Sequence, residues 1–341
     1  MNILVPSAGK RYLHIKYLRE SVGVEKIVTT ELSPLAPGIH AADRAYQVPR
    51  ITSPDYLDTI WEICCKESID LIVPLMDNDI VVFSRNRARF EQAGIRFLLA
   101  PEETIEVTMD KLATFQFLQS HGLPAPLTIC AADWQTRQEE LRFPLLIKPR
   151  FPATRAAKGY DISVMNNWQE FHPVLNAIAG MEENYVFQEY LQGTELTIDF
   201  FCDREGKLIS AVPGERLGAL TRAFSRDGGA ISMGKIIHDE RIVEMVRTTT
   251  QHMRFYGPAN FQGYRISTPE GEKIKFTEIN PRFTGATVMT RAAGRDFFQW
   301  SVDLASGKDI PTPQEDYRDV YMSSWLSPIF FEEPPVLSVQ A

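Results

Sequence analysis

Cysteine pairs, histidine motifs, basic runs and long apolar stretches are all missing from this sequence. Its four cysteines, Cys64, Cys65, Cys130 and Cys202, form no CxxC pair and no metal spacing with histidine. This excludes a cysteine-held metal site by pattern and predicts reduced thiols in a reducing compartment. The six histidines are scattered, without an HExxH pattern. There is no Lys/Arg run and the net charge is -8, which argues against a nucleic-acid partner while leaving room for local basic pockets that take phosphate. No uninterrupted apolar run is long enough to span a bilayer, and Asn2 to Val5 is too short for a signal sequence, so a cytoplasmic protein without membrane contact is expected. The Ser7-Ala8-Gly9-Lys10-Arg11 turn carries neither the Walker spacing nor a GxGxxG fingerprint. It reads as a strand-to-helix turn or, less simply, as a substrate contact.

What is present is organised. A chain of 341 residues with 44% hydrophobic and 23% charged residues fits two or three globular domains. From Asn2 to about Glu106, apolar runs such as Ile3-Leu4-Val5, Ile27-Val28, Leu71-Ile72-Val73-Pro74-Leu75 and Phe97-Leu98-Leu99 alternate with helical patterns. That rhythm predicts a parallel sheet covered on both faces, with ligands collecting at the strand ends. Those ends carry Ser7 to Arg11, Thr29-Thr30-Glu31 and Asp77-Asn78-Asp79. Next, Asp110 is placed to cap a helix bearing Leu112, Phe115 and Leu118, with Lys111 in its first turn. A cation there is either an indifferent surface residue or one held by an anion. The apolar strand Phe143 to Ile147 delivers Lys148, which either contacts a ligand or snorkels to solvent.

Val186 to Leu191 and Glu195 to Cys202 read as an antiparallel pair turning at Gln192-Gly193. Residues Glu215 to Lys235 hold Arg216, Arg222, Arg226, Gly228, Gly229 and Gly234, a pattern for a phosphate or substrate lid or for a solvated loop. A helix over Asp239 to Tyr256 precedes a strand over Ala259 to Ile266, which places Asn260 and Gln262 on one face. After the turn at Pro269-Glu270-Gly271, alternation in Phe276-Thr277-Glu278-Ile279-Asn280 predicts that Phe276, Glu278 and Asn280 share a face. Pro281 ends that strand and Arg282 follows as a bidentate cation. A carboxylate and an amide oxygen are hard ligands suited to magnesium, so this stretch reads as a metal-phosphate corner; the alternative is a wet edge strand.

In this order the motifs resemble the ATP-grasp superfamily, and within it single-module proteins similar to one half of the carbamoyl phosphate synthetase large chain. The likeness runs from Asn2 to about Asp303. It implies an α/β chain in which a Rossmann-like parallel sheet precedes a two-lobed ATP-grasp fold. The expected parts are residues 1–106, a lid lobe over 107–191, a metal-bearing lobe over 192–327 and a peripheral tail over 328–341. By resemblance, Lys111, Lys148 and Lys158 bind the nucleotide phosphates, the backbone of Glu189-Tyr190-Leu191 holds the adenine edge, and Glu195 takes the ribose hydroxyls. Gln262, Glu278 and Asn280 hold one or two Mg2+ ions, for which Mn2+ is an alternative. Arg282, Arg216 and Lys148 neutralise the transferring phosphoryl group.

The expected reaction is ATP-dependent activation of a small carboxylate as an acyl phosphate, with ADP released and an amine then joined. A homodimer is the family-level expectation. Alternatives are bicarbonate or carbamate phosphorylation, or a nucleotide-binding subunit with weakened catalysis. The last draws on the segment Phe151 to Gly159, which has a single glycine where the family's phosphate loop is rich in small residues. Arg155 and Lys158 are expected to compensate with side-chain charge.

Overall fold

The computed structural model describes residues 1–152, 160–217, 233–325 and 327–337. Lys158 and Arg155, and Arg222, Arg226, Gly228 and Gly229 of the glycine- and arginine-rich stretch, lie outside the described residues.

The chain begins with β1 (Asn2–Val5), α1 (Tyr12–Glu20), β2 (Lys26–Glu31), β3 (Arg44–Gln47), α2 (Tyr56–Glu67), β4 (Leu71–Ile72), α3 (Asp77–Arg85), α4 (Arg87–Glu91) and β5 (Arg96–Phe97). The strands form a parallel sheet in the order β3-β2-β1-β4-β5. Because successive side chains in a strand point to opposite faces, Leu4, Val28 and Ile72 pack on Ile60, Ile63 and Phe83 of α2 and α3. Ile3, Val5 and Ile27 pack on the other face, with Ile15 and Leu18 of α1. β4 stops after Ile72, where a longer strand through Leu75 is expected from sequence; Pro74 has no N–H to extend the ladder.

Helices α5 (Glu102–Met109) and α6 (Lys111–Ser120) lead to a four-stranded antiparallel sheet. Its strands are β6 (Thr128–Cys130), β7 (Leu145–Pro149), β8 (Ser163–Met165) and β9 (Tyr185–Glu189), in the order β6-β9-β7-β8. Asp110 caps α6 as expected, its carboxylate accepting from the Leu112 and Ala113 amides. α7 (Trp168–Ala177) covers one face, where Phe171 and Val174 meet Ile129, Ile147 and Phe187.

The third sheet has six antiparallel strands. They are β10 (Thr194–Cys202), β11 (Leu208–Arg216), β12 (Met233–Ile236), β13 (Gly257–Thr268), β14 (Gly271–Asn280) and β15 (Tyr321–Ser323), ordered β14-β13-β10-β11-β12-β15. α8 (Glu240–His252) buries Ile242 and Val246 against Leu196, Ile198 and Phe200 of β10. α9 (Thr287–Ala292) and α10 (Phe297–Ala305) follow β14, and α10 sends Phe297, Phe298 and Val302 into the core that includes Ile3 and Ile15. The first sheet therefore shares a core with the end of the chain. Leu337 exchanges backbone hydrogen bonds with Ala45 and Gln47, so the tail lies along the β3 edge.

Two further sequence expectations need correcting. β9 and β10 are not an antiparallel pair: β9 lies between β6 and β7, whereas β10 lies between β11 and β13. The chain crosses between sheets at Gly193, where an added Cβ would come within 2.2 Å of the Arg265 carbonyl oxygen. Only glycine permits so close a backbone approach. Second, Phe276 does not share a face with Glu278 and Asn280. The β13–β14 register shifts between Gln262 and Gly263, so that Gln262 opposes Glu278 and Gly263 opposes Phe276. Thr277 is the extra residue of a bulge. Phe276 joins Ile274 and Ile279 in the apolar core beneath α8, while Glu278 and Asn280 line a cleft. Bulges re-aim side chains in this way beside functional sites.

Candidate active site

The three sheets converge on a cleft of about 140 Å³ lined by Asp77, Lys111, Lys148, Phe151, Glu278 and Asn280, among others. Four residues expected from sequence to act together, Lys111, Lys148, Glu278 and Asn280, are thus gathered from α6, β7 and β14. Lys111 reaches to 4.0 Å from the Glu278 carboxylate. The helix dipole disfavours a lysine in the first turn of α6, and here Glu278 partly answers that charge. Arg150 grips the capping Asp110 with both ends of its guanidinium, at 2.9 and 2.7 Å, which anchors the start of α6 to the end of β7.

Lys148 is half-buried and donates to Gln188 Oε1 at 2.8 Å. Desolvation draws its pKa down to about 8, against the pull of Glu278. Gln188 is missed by a sequence reading that attends to the neighbouring Glu189-Tyr190-Leu191. The only available signal is alternation, which points it away from Glu189. Glu189 turns to the opposite face, where it accepts from Lys275 at 2.7 and 2.6 Å and from the Leu127 amide at 3.2 Å. Its carboxylate is thereby occupied by the protein, leaving the backbone of 189–191 as the part expected to meet a ligand. Glu195 and Arg216, given separate tasks by resemblance, pair with each other at 2.6 Å across the β10–β11 hairpin.

Arg282 leaves β14 and is mostly buried, at 13% exposure. Its Nε donates to Asp77 Oδ1 at 2.5 Å, Nη1 to the Phe283 carbonyl at 3.1 Å, and Nη2 to Asn280 Oδ1 at 3.2 Å. Burial works against its charge, yet Asp77 more than offsets this and its pKa is raised. Burial likewise opposes ionisation of Asp77, but Arg282, with Lys111 and Arg11 beyond, holds that carboxyl below its ordinary value. Burial and then the Arg282 charge draw Arg11 down to about 10. Beside this pair, Asp79 is fully buried, accepts from Ser7 Oγ at 3.0 Å and Tyr56 OH at 3.1 Å, and is pushed by burial up to about 7. The strand ends of the first sheet therefore enter the site through Asp77.

On β10, beside β13, Asp199 forms a buried hub that sequence reading also missed. It accepts from Asn260 at 2.7 Å, Thr284 at 3.1 Å and Thr290 at 2.8 Å. Asn260 stands directly opposite Asn280, so the hub braces the strand that carries the oxygen ligands. His14 is buried, donates from Nε2 to the Thr284 carbonyl at 2.7 Å, and is lowered by burial to about 3, so it is neutral. His238 stacks on Tyr317 and contacts Asp319 at 3.1 Å on the surface.

Among the described residues, no group of three or more His, Cys, Asp or Glu side chains could hold a metal ion. Gln262 stands opposite Glu278 in the register but is not among the residues that line the cleft, where the carboxylate and amide oxygens are those of Glu278, Asn280 and Asp77. Asn280 is 3% exposed, with Nδ2 lacking a partner and one Oδ1 lone pair used by Arg282, which leaves the second. Such a sparse set of hard oxygens fits Mg2+, which takes few protein ligands and completes its shell with water and phosphate. No helix among the described residues is long and apolar enough to cross a membrane.

Comparison with known proteins agrees with this architecture. Residues 3–98 match the family described as PylC-like, N-terminal domain, and residues 181–325 match ATP-grasp in the biosynthetic pathway with Ter operon. A carbamoyl-phosphate synthase of Methanobrevibacter smithii is 24% identical over 320 residues, 90% of this chain and 81% of that protein. A D-alanine–D-alanine ligase of Ralstonia pickettii is 25% identical over 185 residues, which are 53% of this chain and only 54% of that enzyme. Among solved structures, N5-carboxyaminoimidazole synthetase from Staphylococcus aureus complexed with ADP superposes with a TM-score of 0.71 at 17% identity, covering 91% of this chain and 78% of that one.

Proposed function

From residues 181–325, which match an ATP-grasp family, and residues 3–98, which match a PylC-like N-terminal domain, we propose that the chain is an ADP-forming ligase of the ATP-grasp superfamily that joins a small carboxylate to an amine. The observation that carries this reading is the meeting of Lys111, Lys148, Glu278, Asn280 and Asp77 in one cleft, with Arg282 bound to Asp77 at its wall. Cations and hard oxygens facing each other in a half-dry cleft suit phosphoryl transfer, which depends mainly on positioning and electrostatics.

In this reading Lys111 and Lys148 hold phosphate oxygens and the 189–191 backbone holds the adenine edge. Glu278, Asn280 and Gln262 would hold Mg2+, or Mn2+ in its place, which would supply charge neutralisation on the phosphates. The substrate carboxylate attacks the terminal phosphorus, the bond from phosphorus to the ADP oxygen breaks, and an acyl phosphate forms. The amine nitrogen then attacks the acyl carbon, inorganic phosphate leaves with its oxygen, and the nitrogen loses a proton to solvent. A carboxylate is already an anion at neutral pH, so the first step needs no general base. Neutral His14 and the surface His238 are accordingly left out of the chemistry. Glu195 would take the ribose and Arg216, its ion-pair partner at 2.6 Å, the phosphoryl group. The division at 106, 191 and 327, a cytoplasmic location and a homodimer belong to the same proposal.

Relatives named carbamoyl-phosphate synthase favour bicarbonate as a second candidate for the carboxylate. Both readings are tested by ADP release from purified protein with ATP and Mg2+, using pooled carboxylates or bicarbonate, each with and without pooled amines. Turnover that needs a carboxylate and an amine supports the ligase. Turnover with bicarbonate alone selects the second reading, and nucleotide binding without turnover in any pool refutes both.

A further inference from the structure

We propose that Gln188 and Thr128 form a positioning relay for Lys148, fixing the direction of its ammonium group and leaving its charge free for the nucleotide phosphates. This rests on the nucleotide-binding reading above. The geometry comes from three adjacent strands, since Gln188 on β9 stands opposite both Thr128 on β6 and Leu146 on β7, with Lys148 two residues further along β7. The side chains of Thr128, Gln188 and Lys148 thus share one face of the four-stranded sheet, diagonal neighbours within reach of long side chains. Gln188 and Thr128 are 3% and 0% exposed.

The hydrogen bonds run in one direction only. The Pro126 carbonyl can only accept, so the Thr128 hydroxyl donates to it at 3.0 Å. Having spent its proton there, Thr128 Oγ1 accepts from Gln188 Nε2 at 2.9 Å. The amide oxygen of Gln188 is then the atom turned to Lys148, which as an ammonium can only donate, at 2.8 Å. Reversing the amide would place an NH2 against an ammonium and a carbonyl oxygen against a hydroxyl already committed as donor. The network therefore allows a single orientation, and a freely rotating side chain is turned into a fixed one.

The relay is also neutral, which matters for the charge. The charged groups facing Lys148 are Glu278 from β14, Glu195 from β10 and Lys111 from α6. None of these is its hydrogen-bond partner. A carboxylate at position 188 would form a contact ion pair in a partly desolvated cleft and compete with phosphate for the same cation. With an amide there, Lys148 is oriented without being neutralised, and burial can hold it near a pKa of about 8.

The test is MgADP titration by calorimetry from pH 7 to 9.5 for wild type, Gln188→Glu, Thr128→Val and Thr128→Ser, with thermal unfolding to check that each variant is folded. Wild type should weaken as pH rises past about 8, as Lys148 loses its proton. Gln188→Glu should bind about tenfold more weakly at pH 7, and its alkaline weakening should move at least one pH unit higher, because the added carboxylate favours the ammonium. Thr128→Val keeps the shape but removes the hydroxyl, and should cost about fivefold, as expected for one hydrogen bond in such a chain. Thr128→Ser should restore wild-type affinity. A merely structural role would move unfolding midpoints without moving the alkaline limb. If folded Gln188→Glu and Thr128→Val keep both wild-type affinity and the wild-type pH profile, the relay is refuted. If wild type itself binds no MgADP, the nucleotide reading falls, and the relay with it.

Discussion

Breaking the Asp77–Arg282 pair probes the joint between the N-terminal sheet and the strand carrying Glu278 and Asn280, two regions 205 residues apart in sequence. Asp77→Asn keeps the shape and one hydrogen-bond acceptor but removes the countercharge from a guanidinium that is 13% exposed. Losing one partner of a fully buried pair costs about 3–5 kcal/mol. Asp77 is 33% exposed, so water recovers part of that, and Phe283 and Asn280 still accept from Arg282. About 2 kcal/mol is the expected loss, equivalent to roughly 3 °C in melting temperature for a chain of this length.

The pH dependence has a definite sign. A carboxyl held below its ordinary value of 3.8 contributes stability that is present above that value and lost as pH falls through its folded-state pKa. Asp77→Asn should therefore lose stability at pH 7 while flattening the acid limb below about pH 4. The assay is a double-mutant cycle of Asp77→Asn with Arg282→Met, read by unfolding midpoints at pH 7 and pH 3.5. A coupling near 2 kcal/mol at pH 7 that shrinks at pH 3.5 is expected. Coupling below about 0.5 kcal/mol at pH 7 would show that the two residues merely touch, and the joint would have to be sought in the shared apolar core.

Three further outcomes are expected. Glu278→Gln should lower metal-dependent ATP turnover at least about a hundredfold with the fold intact; unchanged turnover would overturn its assignment as a metal ligand. Gly193→Ala should destabilise the protein by about 1–3 kcal/mol, because the new Cβ would sit 2.2 Å from the Arg265 carbonyl oxygen; an unchanged denaturation midpoint would mean the crossing can shift to make room. Buried neutral His14 is lowered to about 3 from an ordinary 6.5, so the unfolded chain binds the extra proton between those values and stability falls as the solution is acidified. Up to about 1.4 kcal/mol per pH unit of that slope should vanish in His14→Gln, and a titration of stability from pH 7 to 4 that looks the same in both proteins would exclude this assignment.

The elements that could be read from sequence are those whose cause is local. Asp110 caps α6 because a short carboxylate before a helical run does so almost regardless of the rest of the molecule. Ile3, Leu4 and Val5 announce a strand buried on both faces because each face needs its own apolar contacts. The expected alternation failed in β14, where the phase depends on a bulge that only β13 imposes. Nothing in Phe276-Thr277-Glu278 marks Thr277 as the extra residue. The expected β9–β10 pair failed for a related reason, since two adjacent strands with a glycine between them look like a hairpin unless the close approach of Gly193 to Arg265 is known.

The candidate site divides along the same line. Lys111, Lys148, Glu278 and Asn280 stand at ends or capping positions of elements that sequence alone can place, and the structure brings them to one cleft. Of their partners, Asp77 stands in a strand-end segment that the sequence does mark, whereas Gln188 and Asp199 do not stand out, because they acquire importance only through contacts with neighbouring strands. A carboxylate or an amide advertises nothing about whom it will face. The bulge makes the dependence plain: without the extra residue at Thr277, either Phe276 would enter the cleft beside Glu278 or Glu278 would be driven under α8 among Ile274 and Ile279. Burying an unpaired carboxylate there would cost several kcal/mol, so the irregularity is what lets one strand serve both an apolar core and a charged cleft.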